Sequence, residues 1–198
     1  MDKVISEKVE NAICKLFKRD RYLLQNNLNE RTIAHKFAMY LQEEFIDYDV
    51  DCEYNKNVDE KNGAKNIYIL EEELDELRSS IKYVASKRHE ETKKLKQEFA
   101  VISIYPDILV HKRGNNERNL LIIEIKKSTN LTDREFDFKK LQCYTEKSGH
   151  NKLHYKYGLF IEFITGQKEP GISDMIWYSN GCRIIQKTGI TDNTEFTV

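Results

Sequence analysis

Two stretches of the sequence combine charged residues with apolar, strand-like runs. Asp107 follows Pro106 at the start of one apolar run, and Glu124 and Lys126 lie inside a second one, at residues 120–126. Because side chains alternate between the two faces of a strand, Glu124 and Lys126 are predicted to share one face. Burying a carboxylate or an ammonium is costly unless the charge is paired or binds a metal. These residues therefore predict a polar site inside the fold.

Asp107, Glu124 and Lys126 are suited to the hydrolysis of a phosphodiester. The two carboxylates, with the backbone carbonyl of Ile125 and water, supply the hard oxygen ligands that Mg²⁺ prefers, and Mn²⁺ is expected to substitute. Lys126 would orient the attacking water and stabilise the developing charge. Two simpler interpretations stay open: Asp107 as a turn carboxylate, and Glu124 with Lys126 as an exposed cross-strand ion pair.

The elements that position these residues follow from periodicity and turn signals. Residues 112–117 are rich in turn formers and join two β-rich runs, which predicts an antiparallel hairpin. An uninterrupted apolar run after the hairpin predicts a strand in a sheet that is covered on both faces. The predicted elements from the hairpin onward are strands at 104–111 and 120–126, a helix at 133–147, a strand at 157–163 and short closing strands at 175–178 and 183–186.

A fourth candidate, Glu30, lies on a predicted helix at about 28–45. It shares the apolar side of that helix with Ile33 and Phe37 at helical spacing, so its carboxylate is expected to face the core. The alternative is a capping box in which Glu30 accepts from the backbone amide of Asn27. A helix at 3–18 precedes this one, and a half-buried strand at 48–54 follows it.

Residues 69–99 are predicted to form one long charged helix, which makes about 67–99 a helical elaboration on a smaller core. The residues of its apolar stripe are Leu70, Leu74, Leu77, Ile81, Val84 and Leu95. Packing of the helix on its own domain is favoured over a short coiled-coil dimer. A docking surface for a protein partner along this helix is an open alternative.

Pro106-Asp107 and Glu124-Ile125-Lys126 resemble the motif of the PD-(D/E)XK nuclease superfamily, which includes restriction endonucleases and Holliday-junction resolvases. The predicted order of elements over about residues 28–165 is similar to the αβββαβ order of that superfamily. The resemblance implies an α/β fold with a restriction-endonuclease-like core, in which helices flank a mixed central sheet. It also implies that Glu30 joins the metal site. The N-terminal helix and the charged helix between the first two core strands depart from the family pattern.

Further residues are candidates for contact with nucleic acid. Gln142 and Lys139 lie on the helix after the motif, where this superfamily often places a Gln or Lys near the phosphate. Lys112 and Arg113 form a basic cluster at the hairpin turn that would contact a phosphate backbone. Solvent-exposed helices and turns commonly carry such residues without binding a partner, so an ordinary surface role stays open for all four.

Length and composition set the remaining expectations. A chain of 198 residues is predicted to form a single domain, 1–198. Its net charge of -1 disfavours a nucleic-acid coat protein, and no apolar run reaches the length of a membrane span, so a cytoplasmic location is expected. The predicted function is a metal-dependent nuclease, acting on DNA in defence or repair. The alternative is a catalytically inactive nuclease-fold module that docks a partner through the 70–99 helix.

Overall fold

The computed structural model describes residues 2–57, 63–77, 88–91, 98–147 and 149–184. Three helices come first in these ranges, and strands with two further helices follow. In chain order the elements are α1 (Lys3–Arg19), α2 (Arg21–Gln25), α3 (Glu30–Glu44), β1 (Asp49–Cys52), β2 (Asn66–Leu70), α4 (Glu71–Leu77), β3 (Arg88–Glu91), β4 (Glu98–Ser103), β5 (Ile108–His111), a 3₁₀ turn (Asn116–Arg118), β6 (Leu121–Lys127), α5 (Glu135–Thr145), β7 (Tyr157–Ile164), β8 (Gly171–Ser179) and β9 (Cys182–Arg183).

The central sheet has six strands in the order β1-β5-β6-β7-β8-β9. β6 and β7 are parallel, and every other neighbouring pair is antiparallel, so the sheet is mixed. The predicted hairpin forms with Ile108 opposite Ile123 and Val110 opposite Leu121. The α/β class with a mixed sheet flanked by helices is therefore confirmed.

Two apolar layers cover the two faces of this sheet. On one face α1 and α3 pack on alternate residues of the strands, which include Ile123 and Ile125 of β6. On the other face α5 packs on the intervening residues, which include Ile122 of β6 and Phe160 of β7. The alternation of a strand therefore directs Glu124 and Lys126, which share the face of Ile122, toward α5.

The prediction of one long helix at 69–99 is wrong. This stretch contains the end of β2, all of α4 and β3, and the start of β4. The three strands form a second antiparallel sheet in the order β2-β4-β3. Ile67 and Ile69 are buried and alternate with half-buried neighbours, which is the period of a strand. Of the predicted stripe, Leu74 lies buried in α4, while positions 81, 84 and 95 fall outside the described residues. A docking surface along a 70–99 helix consequently has no structural basis.

The second sheet packs against α5 and extends the apolar layer on that side of the central sheet. Ile67, Ala100 and Ile102 belong to the same buried cluster as Leu141 and Tyr144 of α5. Among the described residues, no helix has the length and apolar character needed to cross a membrane.

Candidate functional site

Asp107 lies immediately before β5, at the same level of the sheet as Glu124 of the adjacent strand β6. Continuing the β5–β6 register by one residue from the Ile108–Ile123 pair places Asp107 opposite Glu124. Asp107 Oδ2 accepts the backbone N–H of Ile125 at 2.7 Å, which holds the carboxylate against β6. Glu124 is only 2% exposed. The two carboxylates and Lys126 are therefore brought together under α5.

Helix α5 adds three polar side chains, Asp137, Lys140 and Tyr144, which follow one another at helical spacing on its inner face. Lys140 Nζ lies 2.7 Å from Glu124 Oε2 and 2.7 Å from Asp137 Oδ1. The Tyr144 hydroxyl donates to Glu124 Oε1 at 3.1 Å. Lys126 Nζ lies 2.9 Å from Asp137 Oδ2. A continuous chain of contacts thus runs from Lys126 through Asp137 and Lys140 to Glu124.

No motif in the sequence marks Asp137, Lys140 or Tyr144 as site residues. Their helical spacing nevertheless indicates that they face the core, because they share a helical stripe with the apolar Leu141. A lysine and an aspartate within an apolar stripe require partners inside the fold. Such residues are candidates for a buried polar site even where no motif marks them.

Burial strongly affects the two acidic residues of the central sheet. Burial raises the pKa of Glu124 to about 8, opposed by Lys140 and reinforced by repulsion from Asp107 and Asp137. Burial also raises the pKa of Asp107 to about 6, although Lys140 and the Ile125 N–H favour its ionised form. Both carboxylates consequently hold protons more tightly than usual, and a cation bound between them would favour their ionised forms.

For Asp137, Lys140 and Lys126, charged partners outweigh the effect of burial on the pKa. Burial would raise the pKa of Asp137, but Lys140 and Lys126 together hold it below its usual value. Burial would lower the pKa of Lys126, yet the Asp137 carboxylate raises it. The Glu124 and Asp137 carboxylates likewise raise the pKa of Lys140 against the effect of burial. Both lysines are therefore held as ammonium ions.

The donor set fits a hard divalent cation. Asp107 and Glu124 offer carboxylate oxygens from neighbouring strands, and the Ile125 carbonyl belongs to the same stretch of β6. Two carboxylates suffice for Mg²⁺, which keeps several of its waters. Across the described residues, no cluster of three or more His, Cys, Asp or Glu side chains is arranged to hold a metal. Lys140 and Tyr144 engage both oxygens of Glu124, so a cation would have to share or replace these contacts.

Glu30 occupies a different position from the one that a capping box requires. Asn29, and not Asn27, is the N-cap of α3, and Glu30 is the first residue of that helix, so the capping-box alternative is wrong. Glu30 Oε2 accepts the backbone N–H of Lys127 at 3.0 Å, and both carboxylate oxygens accept from the Asn130 side chain. Glu30 thus ties α3 to the end of β6, and its role as a metal ligand stays a prediction.

Lys139 and Gln142 lie on a side of α5 that does not contact Glu124. Lys139 Nζ forms an ion pair with Glu73 of α4 at 2.8 Å. Both residues line a cavity of about 360 Å³ between α5 and the second sheet, together with Tyr68, Phe99 and His150. The structure does not bring Lys139 or Gln142 to the carboxylates, and their contact with nucleic acid stays a prediction.

Lys112 and Arg113 lie at the opposite end of the hairpin from Asp107. Lys112 is five positions beyond Asp107 along an extended chain, which corresponds to roughly 16 Å. Arg113 forms a two-point ion pair with Asp51 of β1, and Lys112 Nζ lies 4.0 Å from Asp49. The structure therefore places this basic cluster away from the carboxylates, where acidic side chains of β1 already engage it.

The chain was also compared with known proteins. No protein-family model, no curated protein and no solved structure matches it.

Proposed function

We propose that this protein is a metal-dependent hydrolase of nucleic-acid phosphodiesters, with DNA as the favoured substrate. The observation that carries the proposal is the position of Asp107 opposite Glu124 on adjacent strands, with Lys126 on the same face of β6. Two carboxylates and an ammonium in one half-buried site supply a metal-binding group and a water-orienting group. No serine or cysteine nucleophile is needed, because water attacks the phosphorus.

The order of elements around the site supports a restriction-endonuclease-like core. With the second sheet set aside, α3, β1, β5, β6, α5 and β7 follow one another as αβββαβ. The first three strands form the antiparallel order β1-β5-β6, and β7 is parallel to β6. This is the arrangement that the resemblance of Pro106-Asp107 and Glu124-Ile125-Lys126 to the PD-(D/E)XK motif implies.

Each residue of the site then has a distinct role. Asp107, Glu124 and the Ile125 carbonyl would hold Mg²⁺, which when bound neutralises the scissile phosphate and lowers the pKa of a coordinated water. Lys126 orients the attacking water and stabilises negative charge that develops on the phosphate. Asp137 positions the Lys126 ammonium through the 2.9 Å contact. Tyr144 orients the Glu124 carboxylate by donating to its second oxygen.

One observation favours a second candidate, a nuclease-fold module that binds a partner without cleaving it. Lys126 is paired with Asp137, and Lys140 is paired with both Glu124 and Asp137. Such a network satisfies its charges internally and can serve a purely structural purpose. The two candidates differ in whether a divalent cation enters the network, which an experiment can decide.

Purified protein should be incubated with single-stranded, duplex and branched DNA and with RNA, each in Mg²⁺, Mn²⁺ or EDTA. We expect cleavage in either metal, none in EDTA, and at least about a 10²-fold lower rate for Asp107→Asn and Glu124→Gln. These isosteric variants remove the metal ligands while keeping the side-chain volume. Metal uptake is followed by calorimetry. An absence of cleavage combined with an absence of Mg²⁺ or Mn²⁺ uptake by the parent would establish the non-catalytic candidate.

A further inference from the structure

The side chain of Tyr105, close to Asp107 in the chain, is exposed to solvent. It lies two residues before Asp107 and is 64% exposed, whereas its neighbours Ile104 and Pro106 are buried. The proline restricts the backbone of the residue before it to extended conformations. The backbone N–H of Glu53 donates to the Pro106 carbonyl at 3.0 Å and fixes the segment from the other side. The tyrosine ring is therefore presented on a rigid support.

The side chain of Leu131, beyond the end of β6, is also exposed to solvent. It lies four residues beyond Lys127, in the loop that follows β6, and is 92% exposed. The preceding residue, Asn130, donates to Glu30, and its Oδ1 accepts the backbone N–H of Thr132 at 3.0 Å. Side-chain hydrogen bonds thus hold the backbone on both sides of Leu131.

Topology places these two side chains at the same edge of the central sheet. β5 and β6 are antiparallel, so the segment before β5 and the last residues of β6 lie toward the same edge of the sheet. The register places Ile108 opposite Ile123, and β6 continues four residues further, to Lys127. Tyr105 precedes β5 by three residues, and Leu131 follows β6 by four. An exposed aromatic ring and an exposed aliphatic side chain consequently flank the proposed phosphodiester site.

From this placement we infer that the site takes an unpaired nucleic-acid strand, with a base stacked on Tyr105 and Leu131 inserted between neighbouring bases. The inference rests on the proposed function for its choice of ligand. Aromatic rings bind single strands by stacking, since every base offers a π-face. Aliphatic side chains act as wedges between base steps. In an intact duplex the base faces are covered by their neighbours, so stacking on Tyr105 or insertion of Leu131 would first require unstacking, which costs about a few kcal/mol per base step.

The test measures binding separately from cleavage. Fluorescence anisotropy in EDTA follows a labelled single-stranded oligonucleotide and the matching duplex with the parent, Tyr105→Ala, Tyr105→Phe and Leu131→Ala. Ile46→Ala is the matched control, since Ile46 is 77% exposed but lies just before β1, at the edge where β5 ends. A 2-aminopurine base in the oligonucleotide reports stacking directly. Circular dichroism melts confirm that each variant folds.

We expect the parent to bind the single strand more tightly than the duplex. Tyr105→Ala should weaken single-strand binding by about 5- to 150-fold, the range of one base stacked on an aromatic ring. Leu131→Ala should also weaken it, because the inserted aliphatic side chain is lost. Tyr105→Phe and Ile46→Ala should bind as the parent does, because the first keeps the ring and the second lies elsewhere. Tyr105→Ala should also abolish the quenching of 2-aminopurine.

The inference is overturned if the parent prefers the duplex, or if Tyr105→Ala and Leu131→Ala bind the single strand as tightly as Ile46→Ala. Cleavage of nucleic acid by the parent in Mg²⁺ would leave the proposed function standing in that case. Conversely, single-strand binding that depends on Tyr105 and Leu131 without any cleavage would support the inference and contradict the proposed function.

Discussion

The Nζ of Lys140 lies 2.7 Å from Oε2 of Glu124, between β6 and α5. The same ammonium lies 2.7 Å from Asp137, so one buried cation serves two buried carboxylates. A positive charge is thus already present where the proposed metal would approach Glu124. The lysine and the metal would therefore compete for one carboxylate, and this competition can be measured.

Replacing Lys140 with alanine should destabilise the metal-free protein by about 3–5 kcal/mol, because Glu124 loses its cation inside the fold. Mg²⁺ should restore much of this loss by binding the ionised carboxylate. We therefore expect Mg²⁺ to raise the melting temperature of Lys140→Ala more than that of the parent, as measured by calorimetry.

The matched control for this prediction is Lys139→Ala. Lys139 lies next to Lys140 in sequence but pairs with Glu73, whose side chain is 44% exposed, and such pairs contribute less than about 1 kcal/mol. An equal Mg²⁺ effect on the parent and Lys140→Ala would mean that no cation binds at Glu124.

Lys126→Ala should lower kcat by about 10²- to 10³-fold with little change in metal affinity, because an ammonium that orients water acts mainly in the transition state. Lys127, on the opposite face of β6, is the control in single-turnover kinetics. Its Nζ donates to Asn27 and to the Leu28 carbonyl, so Lys127→Ala is expected to lower stability without lowering kcat comparably. Equal rates for the two variants would contradict a catalytic role for Lys126.

The pH dependence of stability should reveal the raised pKa of Glu124. Burial raises the pKa of Glu124 in the folded protein to about 8, above the ordinary value of 4.5 that applies to the unfolded chain. Since the folded state binds more protons in this window, its unfolding free energy falls as pH rises, by at most about 1.4 kcal/mol per pH unit. Urea denaturation between pH 5 and 8, without metal, measures this decline.

Glu124→Gln supplies the reference because glutamine does not titrate. Relative to this variant, the wild-type protein should lose stability steadily from pH 5 to pH 8. A difference between the two proteins that stays constant over the range, or that grows in favour of wild type, would show that the pKa of Glu124 is not raised.

Glu30→Gln distinguishes an anchoring role from a metal-binding role. A glutamine oxygen can still accept from the Lys127 N–H, but its amide nitrogen would face the Asn130 side chain, which donates to Glu30 in the native protein. The 128–132 loop should therefore loosen, and amide hydrogen exchange at Thr132 should speed up. If Glu30 only anchors this loop, the Mg²⁺ affinity measured by calorimetry should be the same in Glu30→Gln as in the parent. A large loss of affinity would instead make Glu30 a metal ligand.

Some expectations from the sequence failed for a physical reason that is visible in particular residues. Leu70, Leu74 and Leu77 have helical spacing, yet Leu70 ends β2 and only the following residues form α4. The alternation of Ile67 and Ile69 is typical of a strand, but this competing pattern covers only a few residues. Local pattern alone cannot decide between the two, because pairing of β2 with β4 is a contact between segments distant in the chain.

Local periodicity and turn residues are sufficient to predict the hairpin, the shared face of Glu124 and Lys126, and the order of the core helices and strands. Which charges meet depends on tertiary packing. The pairing of Lys140 with Glu124, of Lys126 with Asp137, and of Glu30 with the end of β6 joins segments that are separate in the chain. Side-chain contacts of this kind depend on how α3 and α5 pack on the sheet, which no local pattern of residues specifies.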